Sequence, residues 1–82
     1  MERTEIINKL TPIVRTCFQN EALILSDDMS SENVSTWTSL AFMQMLTEIE
    51  NEFEIRFKMM ELIHFRTMGD IINSLENHLA NA

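Results

Sequence analysis

The sequence predicts a small all-α protein in which residues 1–82 form one domain. Its 45% of hydrophobic residues are enough to fold, and the single Gly and single Pro argue against a loop-rich or disordered chain. Leu, Ile, Met, Glu and Asn dominate the composition, which favours helix over sheet. Apolar residues also recur at three- and four-residue steps in three long segments, which is the period of an amphipathic helix. The one short alternating stretch, near residue 55, has no second strand to pair with, so we expect no sheet.

The first predicted helix spans about Glu2–Gln19. Its apolar residues at helical spacing are Ile6, Ile7, Leu10, Ile13, Val14, Cys17 and Phe18. Pro12 interrupts this segment, so either one helix kinks near Asn8, or a shorter helix starts after Thr11 with Pro12 in its first position. We favour one kinked helix, because the apolar stripe runs through without a break in phase.

A long polar loop is predicted between residues 20 and 38, since its Asp, Ser and Asn clusters are typical of turns. Asp27 and Asp28 are interpreted as solvated turn acids, because no ligand spacing of a cation site follows them. A loop of this length needs anchors on the core. The apolar residues available for this are Leu23, Leu25, Met29, Val34 and Trp37.

The second predicted helix spans about Ser39–Phe53. Its core stripe consists of Phe42, Met45, Leu46, Ile49 and Phe53. On local chemistry Ser39 is expected to be the N-cap, with its side chain accepting a backbone N–H. The alternative is an exposed hydroxyl beside the positive end of the helix, where a phosphate would be stabilised. Glutamates 48, 50, 52 and 54 surround the end of this helix, either as a solvated surface or as a binding surface.

An extended turn is predicted after the second helix, placing Ile55 and Phe57 in the core. A short third helix should follow at Lys58–His64. Its expected apolar side consists of Met59, Leu62, Ile63 and Phe65.

The last predicted helix begins after Thr67 and runs to about Leu79, with fraying expected beyond that residue. Thr67 and Asp70 form a pair that resembles a capping box. The apolar stripe of this helix consists of Met68, Ile71, Ile72, Leu75 and Leu79.

Thirteen acidic against six basic residues give a net charge of −7. This charge argues against nucleic-acid binding and suits partners that present Lys and Arg, although it could serve solubility alone. Cys17 is the only cysteine, which fits a reducing compartment, and we expect it to be a small buried hydrophobe. Since no signal peptide or membrane-spanning stretch is evident, we expect a cytoplasmic protein that does not insert into membranes.

Catalytic constellations are absent from the sequence. His64 and His78 are too far apart for a short metal motif, and we expect both to be exposed or satisfied histidines. A nucleophilic Cys–His pair remains an alternative, although Cys17 lies on an apolar stripe, which argues against activation of its thiolate. We therefore expect neither a metal site nor an enzyme. The methionines near apolar helix sides fill the core or line a pocket for a flexible apolar guest: Met43, Met45, Met59, Met60 and Met68.

Three short motifs, in order along the chain, resemble those of the acyl carrier protein family. Residues 37–40, Trp-Thr-Ser-Leu, are similar to the family's Asp-Ser-Leu signature. Residues 52–57 resemble the acidic-Phe-x-Ile-x-Phe stretch that ends the second helix of many carriers. Residues 67–70, Thr-Met-Gly-Asp, resemble the Thr-Val-Gly-Asp start of the last helix. The likeness covers nearly the whole chain.

The resemblance implies an antiparallel four-helix bundle with a long first loop and a short third helix. It implies that a phosphopantetheinyl transferase attaches a 4′-phosphopantetheine arm to Ser39, and that the arm's thiol holds an acyl or aminoacyl group. The protein would then be a monomeric carrier for enzymes of fatty-acid, polyketide or related specialised biosynthesis, and would shelter cargo between its helices. The residues expected to meet the arm or partner enzymes are Thr38, Leu40, Met43, Thr47, Glu50 and Glu52.

One departure from the family pattern concerns recognition by the transferase. Thr38 replaces the usual Asp, while Ala41 and Gln44 stand at positions that are commonly acidic in fatty-acid carriers. These changes indicate a specialised pathway or a dedicated set of partners. The alternative hypothesis is a carrier-like acidic interaction module that is never phosphopantetheinylated. An unrelated acidic bundle would require all three motif matches to be chance.

Overall fold

The structure, a computed structural model, describes residues 1–80, and the fraying expected after Leu79 falls partly on residues outside this range. Four α-helices follow one another: α1 (Arg3–Cys17), α2 (Ser39–Phe53), α3 (Met59–Leu62) and α4 (Met68–Ala80). Residues 1–80 contain no strand, so the all-α prediction is confirmed. No helix in this range has the length and apolar character needed to cross a bilayer.

The core is formed where α1 packs against both α2 and α4. Each long helix contributes buried residues from its predicted apolar stripe. Each large side chain removed from water stabilises the fold by roughly 1.5–3 kcal/mol. The largest fully buried side chains are Ile6, Leu10, Val14, Phe18, Met45, Ile49, Met68, Ile71, Ile72 and Leu75.

One continuous helix α1 passes through Pro12, so the favoured single helix is confirmed and the alternative start after Thr11 is wrong. The kink expected near Asn8 stays a prediction. Pro12 has no backbone N–H to donate to the Asn8 carbonyl, four residues earlier. In the same turn the Thr11 hydroxyl donates to the Ile7 carbonyl at 2.6 Å. The helix ends two residues before its predicted limit, because Gln19 adopts a left-handed conformation with φ of 53°. The Asn20 amide then donates to the Arg15 carbonyl at 3.0 Å and closes the helix end.

Aromatic packing anchors the long loop to the bundle. Met29 and Trp37 are buried, and the three other predicted anchors are half-buried against the core. The Trp37 ring lies 5.1 Å from that of Phe18 at the end of α1 and 5.9 Å from that of Phe42 on α2. This packing fixes the loop immediately before α2 begins.

Backbone hydrogen bonds join the middle of the loop to the start of α4. The amides of Met68 and Gly69 donate to the carbonyls of Met29 and Asp27, each at 2.9 Å. A Cβ on Gly69 would lie 3.0 Å from the Asp27 Cβ and carbonyl oxygen, so this close approach favours glycine. The Asp27 carboxylate forms an ion pair with Arg3, whose Nη2 lies 2.7 Å from Asp27 Oδ2. This turn acid therefore has a structural role.

A carboxylate holds α3 against α4. Glu61 accepts hydrogen bonds from the Lys58 amide at 2.6 Å and the Ser74 hydroxyl at 2.5 Å, and His78 Nε2 lies 2.9 Å from it. Partial burial opposes ionisation of Glu61, but hydrogen bonds from Ser74, Lys58 and His78 outweigh it and lower its pKa to about 2. His78 is thus a satisfied histidine, as expected.

The predicted apolar side of α3 is wrong in part. Leu62 and Phe65 are half-buried against the core, whereas Met59 and Ile63 are exposed. The helix has four residues, so it forms a single turn and presents no continuous stripe. Its attachment comes from Glu61 and from the aromatic contact between Phe57 and Phe65, whose rings meet edge to face at 5.1 Å. Phe57 is buried, which confirms the extended turn predicted before α3.

The network around Glu61 makes stability depend on pH in the acid range. Because the folded pKa is lowered from 4.5 to about 2, its stabilisation is complete above about pH 4.5 and is lost as pH falls through 2. Glu61→Gln should lower the free energy of unfolding by about 1–2 kcal/mol near neutral pH and flatten this acid dependence. Urea unfolding at several pH values measures both effects. Glu52→Gln is the control, and an equal loss in both variants would contradict the role of the network.

Candidate functional site

Thr38, and not Ser39, caps helix α2. Its backbone is extended, with ψ of 168°, and its side-chain hydroxyl accepts a hydrogen bond from the Ala41 amide at 3.1 Å. Its carbonyl accepts the Phe42 amide at 2.9 Å. The prediction that Ser39 is the N-cap is therefore wrong. Both residues have capping hydroxyls, but only Thr38 lies outside the helix with the extended backbone that a cap needs.

The Ser39 side chain is exposed at the first position of α2. Its hydroxyl has no hydrogen bond to any other described residue, because the Thr38 hydroxyl already accepts the Ala41 amide. The Ser39 and Leu40 amides precede the first intrahelical donor, so they stand at the positive end of the helix macrodipole. The geometry matches the second sequence prediction, a hydroxyl beside a helix end that favours phosphate.

A cleft of about 440 Å³ opens beside Ser39. Three segments distant in the sequence form its walls: the loop at residues 30–32, the start of α2, and the linker between α3 and α4 at residues 65–67. Aromatic rings of Trp37, Phe42 and Phe65 contribute apolar surface, and Glu32 and Arg66 contribute opposite charges. The free hydroxyl and this mixed cleft fit a phosphate-linked chain with polar amides, so the residues present suit the phosphopantetheine group.

Apolar side chains flank Ser39 along the outer face of α2. Leu40 is 69% exposed and Met43 is 62% exposed, and Thr47 follows on the same side. The first turn of α2 contains no acidic residue. Two methionines on α3, Met59 and Met60, are also exposed. The interpretation of the methionines as core filling is thus wrong for Met43, Met59 and Met60, and it is confirmed for Met45 and Met68, which are fully buried.

The acids at the end of α2 differ in their surroundings. Glu52 is exposed, whereas Glu50 is half-buried and its Oε2 accepts the Phe57 amide at 2.9 Å. Glu50 therefore also fixes the turn after α2, where Glu54 adopts a left-handed conformation with φ of 54°. Contact of Glu50 and Glu52 with basic partners stays a prediction.

The structure gives no support to nucleophilic or metal chemistry among residues 1–80. Cys17 is half-buried, and burial together with the Glu48 charge raises the pKa of its thiol. Each histidine has another partner: His64 Nδ1 lies 2.6 Å from the Met60 carbonyl, and His78 meets Glu61. Within the described range no three potential ligands group together around a metal position.

Sequence reasoning did not find the cleft. Arg66 and Phe65 belong to the linker before α4, and no local pattern indicates that they lie beside Ser39. Their position follows from the hydrogen bonds that Asp70 makes with the Arg66 amide at 2.9 Å and the Thr67 amide at 3.0 Å. The Asp70 amide also donates to the Thr67 hydroxyl at 3.3 Å, so the predicted capping pair is confirmed.

The comparisons with known proteins agree with this geometry. Residues 37–75 match the family model described as the phosphopantetheine attachment site. The fold is similar to the solution NMR structure of a holo acyl carrier protein from Geobacter metallireducens, with a TM-score of 0.84 and 28% sequence identity. That match covers 93% of this chain and 87% of the other. A comparison with curated protein sequences gives no significant match.

The assignment of the cap predicts different effects for two adjacent hydroxyls. Thr38→Ala should lower the free energy of unfolding by about 1 kcal/mol, because the Ala41 amide loses its acceptor. Ser39→Ala should change it by less than about 0.5 kcal/mol, because its hydroxyl has no partner to lose. Chemical denaturation of both variants measures this difference. A larger loss for Ser39→Ala would contradict the assignment.

Proposed function

Because this chain belongs to the acyl carrier protein family, we propose that Ser39 is the residue that carries the 4′-phosphopantetheine arm. The chain is a phosphopantetheine carrier and not an enzyme. When bound, the arm supplies a terminal thiol that holds an acyl or aminoacyl group as a thioester. The observation that carries the proposal is the exposed Ser39 hydroxyl, which is free because Thr38 supplies the cap.

The choice of serine has further support within the region that matches the family. Residues 37–75 contain two serines, Ser39 and Ser74. Ser74 is buried, and its hydroxyl donates to Glu61 across the interface between α3 and α4. Esterification of Ser74 would break this hydrogen bond and force a phosphate into the bundle. Ser39 requires neither change.

Carriers of this family interact with a phosphopantetheinyl transferase and with biosynthetic enzymes. We propose that both kinds of partner contact the outer face of α2 around Ser39. Thr38, Leu40 and Met43 form the neutral part of this surface, and Thr47, Glu50 and Glu52 lead to its acidic part. The matching partner surface is apolar near Ser39 and basic farther along α2.

The proposed pathway is specialised biosynthesis rather than housekeeping fatty-acid synthesis, since Thr38, Ala41 and Gln44 leave the first half of α2 without acids. A cytoplasmic location is proposed because the free thiol of Cys17 suits a reducing compartment. The competing function is an interaction module without the arm. Thr38 favours it, because the carboxylate that usually precedes the modified serine is missing.

Modification should be visible in the intact mass of the protein made together with a broad phosphopantetheinyl transferase. The wild type should gain the mass of one phosphopantetheine group, and Ser39→Ala should gain none. Ser35→Ala, which changes an exposed loop serine, is the matched control and should gain the same mass as the wild type. An unmodified wild type under these conditions would support the module without the arm.

Replacing Thr38 by Asp tests whether the missing carboxylate limits recognition. Asp is also a good N-cap, so Thr38→Asp should keep α2 intact. The new carboxylate would form one exposed ion pair with a basic residue of a general transferase. A stabilisation of about 0.5–1 kcal/mol from this pair should speed modification roughly two- to five-fold. The rate of mass gain measures this effect, with Thr36→Asp as the control for added charge. An unchanged rate in Thr38→Asp would contradict the explanation.

A further inference from the structure

We propose that Arg66 binds the phosphodiester formed at Ser39 and so directs the base of the arm into the cleft beside α2. This inference rests on the proposed attachment at Ser39 and adds a positioning residue to it. Ser39 and Arg66 line the same cleft, although 27 positions separate them in the sequence and they belong to different elements. A phosphodiester on the Ser39 oxygen would extend into the space that Arg66 also faces.

The backbone of Arg66 is fixed while its side chain is exposed. Its amide donates to Asp70 Oδ2 at 2.9 Å, at the start of α4. The same oxygen accepts the Thr67 amide at 3.0 Å, so this carboxylate is already engaged by the backbone, and the two hydrogen bonds lower the pKa of Asp70. The Arg66 guanidinium forms no ion pair with any residue of the described range.

Arg66 is the cationic side chain of the cleft. Arg3 is held by Asp27 and Glu76, and Arg15 donates to the Leu23 carbonyl at 2.7 Å. The three other cations, Lys9, Arg56 and Lys58, do not line the cleft. Arg66 is therefore the accessible guanidinium that can bind an anionic group attached to Ser39.

Electrostatics explain why this position matters in a chain of net charge −7. Glu32 also lines the cleft, and its carboxylate would repel a phosphodiester there. A guanidinium offsets this repulsion and donates two parallel hydrogen bonds to phosphate oxygens. The free amides at the start of α2 add weaker attraction. Without Arg66, the arm would be favoured to extend away from the cleft.

The test uses the protein with its arm attached, prepared with coenzyme A and a broad transferase and checked by intact mass. In the wild type, loading should shift the ¹H–¹⁵N resonance of the Arg66 Nε–H group and leave that of Arg56 in place. The ³¹P resonance of the phosphodiester should move as NaCl rises from about 0.1 to about 1 M, because the screening length falls from roughly 10 to roughly 3 Å.

Three variants separate the contact with Arg66 from general effects of charge. Arg66→Gln should remove most of the salt-dependent ³¹P movement, and Arg66→Lys should retain part of it. Arg56→Gln should behave as the wild type, because it removes one cation outside the cleft. The exposed side chain of Arg66 makes no ion pair within the described part of the chain, so these variants should fold.

The outcomes distinguish this inference from the proposed function. If the protein loads but the Arg66 resonance stays in place, and Arg66→Gln shows the same ³¹P movement as the wild type, the Arg66 contact is overturned and Ser39 attachment stands. If no mass is gained, the proposed function fails, and this inference fails with it. A shifted Arg66 resonance together with lost ³¹P movement in Arg66→Gln supports both.

Discussion

Because the Ala41 amide donates its hydrogen bond to the Thr38 hydroxyl, the residue that caps α2 is not the residue proposed to carry the arm. A cap stabilises a helix by about 1 kcal/mol only while its oxygen accepts the backbone amide. An esterified cap would be constrained by the group attached to its oxygen. Thr38 caps α2 from outside the helix, and this leaves the Ser39 oxygen free to be esterified.

Packing from other parts of the chain places that oxygen at a cleft. Trp37, between the rings of Phe18 and Phe42, sets the position of the residue that caps α2. The hydrogen bonds from the start of α4 to the loop bring the linker at residues 65–67 to the same place. The long loop is therefore a structural part of the site, and its polar surface lines the cleft beside the serine.

Periodicity in the sequence predicted the helices closely, including the start of α2 at Ser39 and one helix through Pro12. Composition could not choose between Thr38 and Ser39 as the cap, since both hydroxyls suit the role and backbone conformation decides. Periodicity also failed for α3, because one turn is too short for a stripe to indicate burial. The pairing of Glu61 with Ser74 and His78, and the place of Arg66 in the cleft, depend on tertiary packing that leaves no local pattern.

Amide hydrogen exchange at Ala41, compared before and after phosphopantetheine attachment, tests the division between Thr38 and Ser39 most directly. If Thr38 is the cap and Ser39 is the attachment residue, the Ala41 amide should be equally protected in both forms, because the hydrogen bond that protects it is not consumed. A clear loss of protection on attachment would mean that the modified oxygen had been the cap. That result would contradict the account.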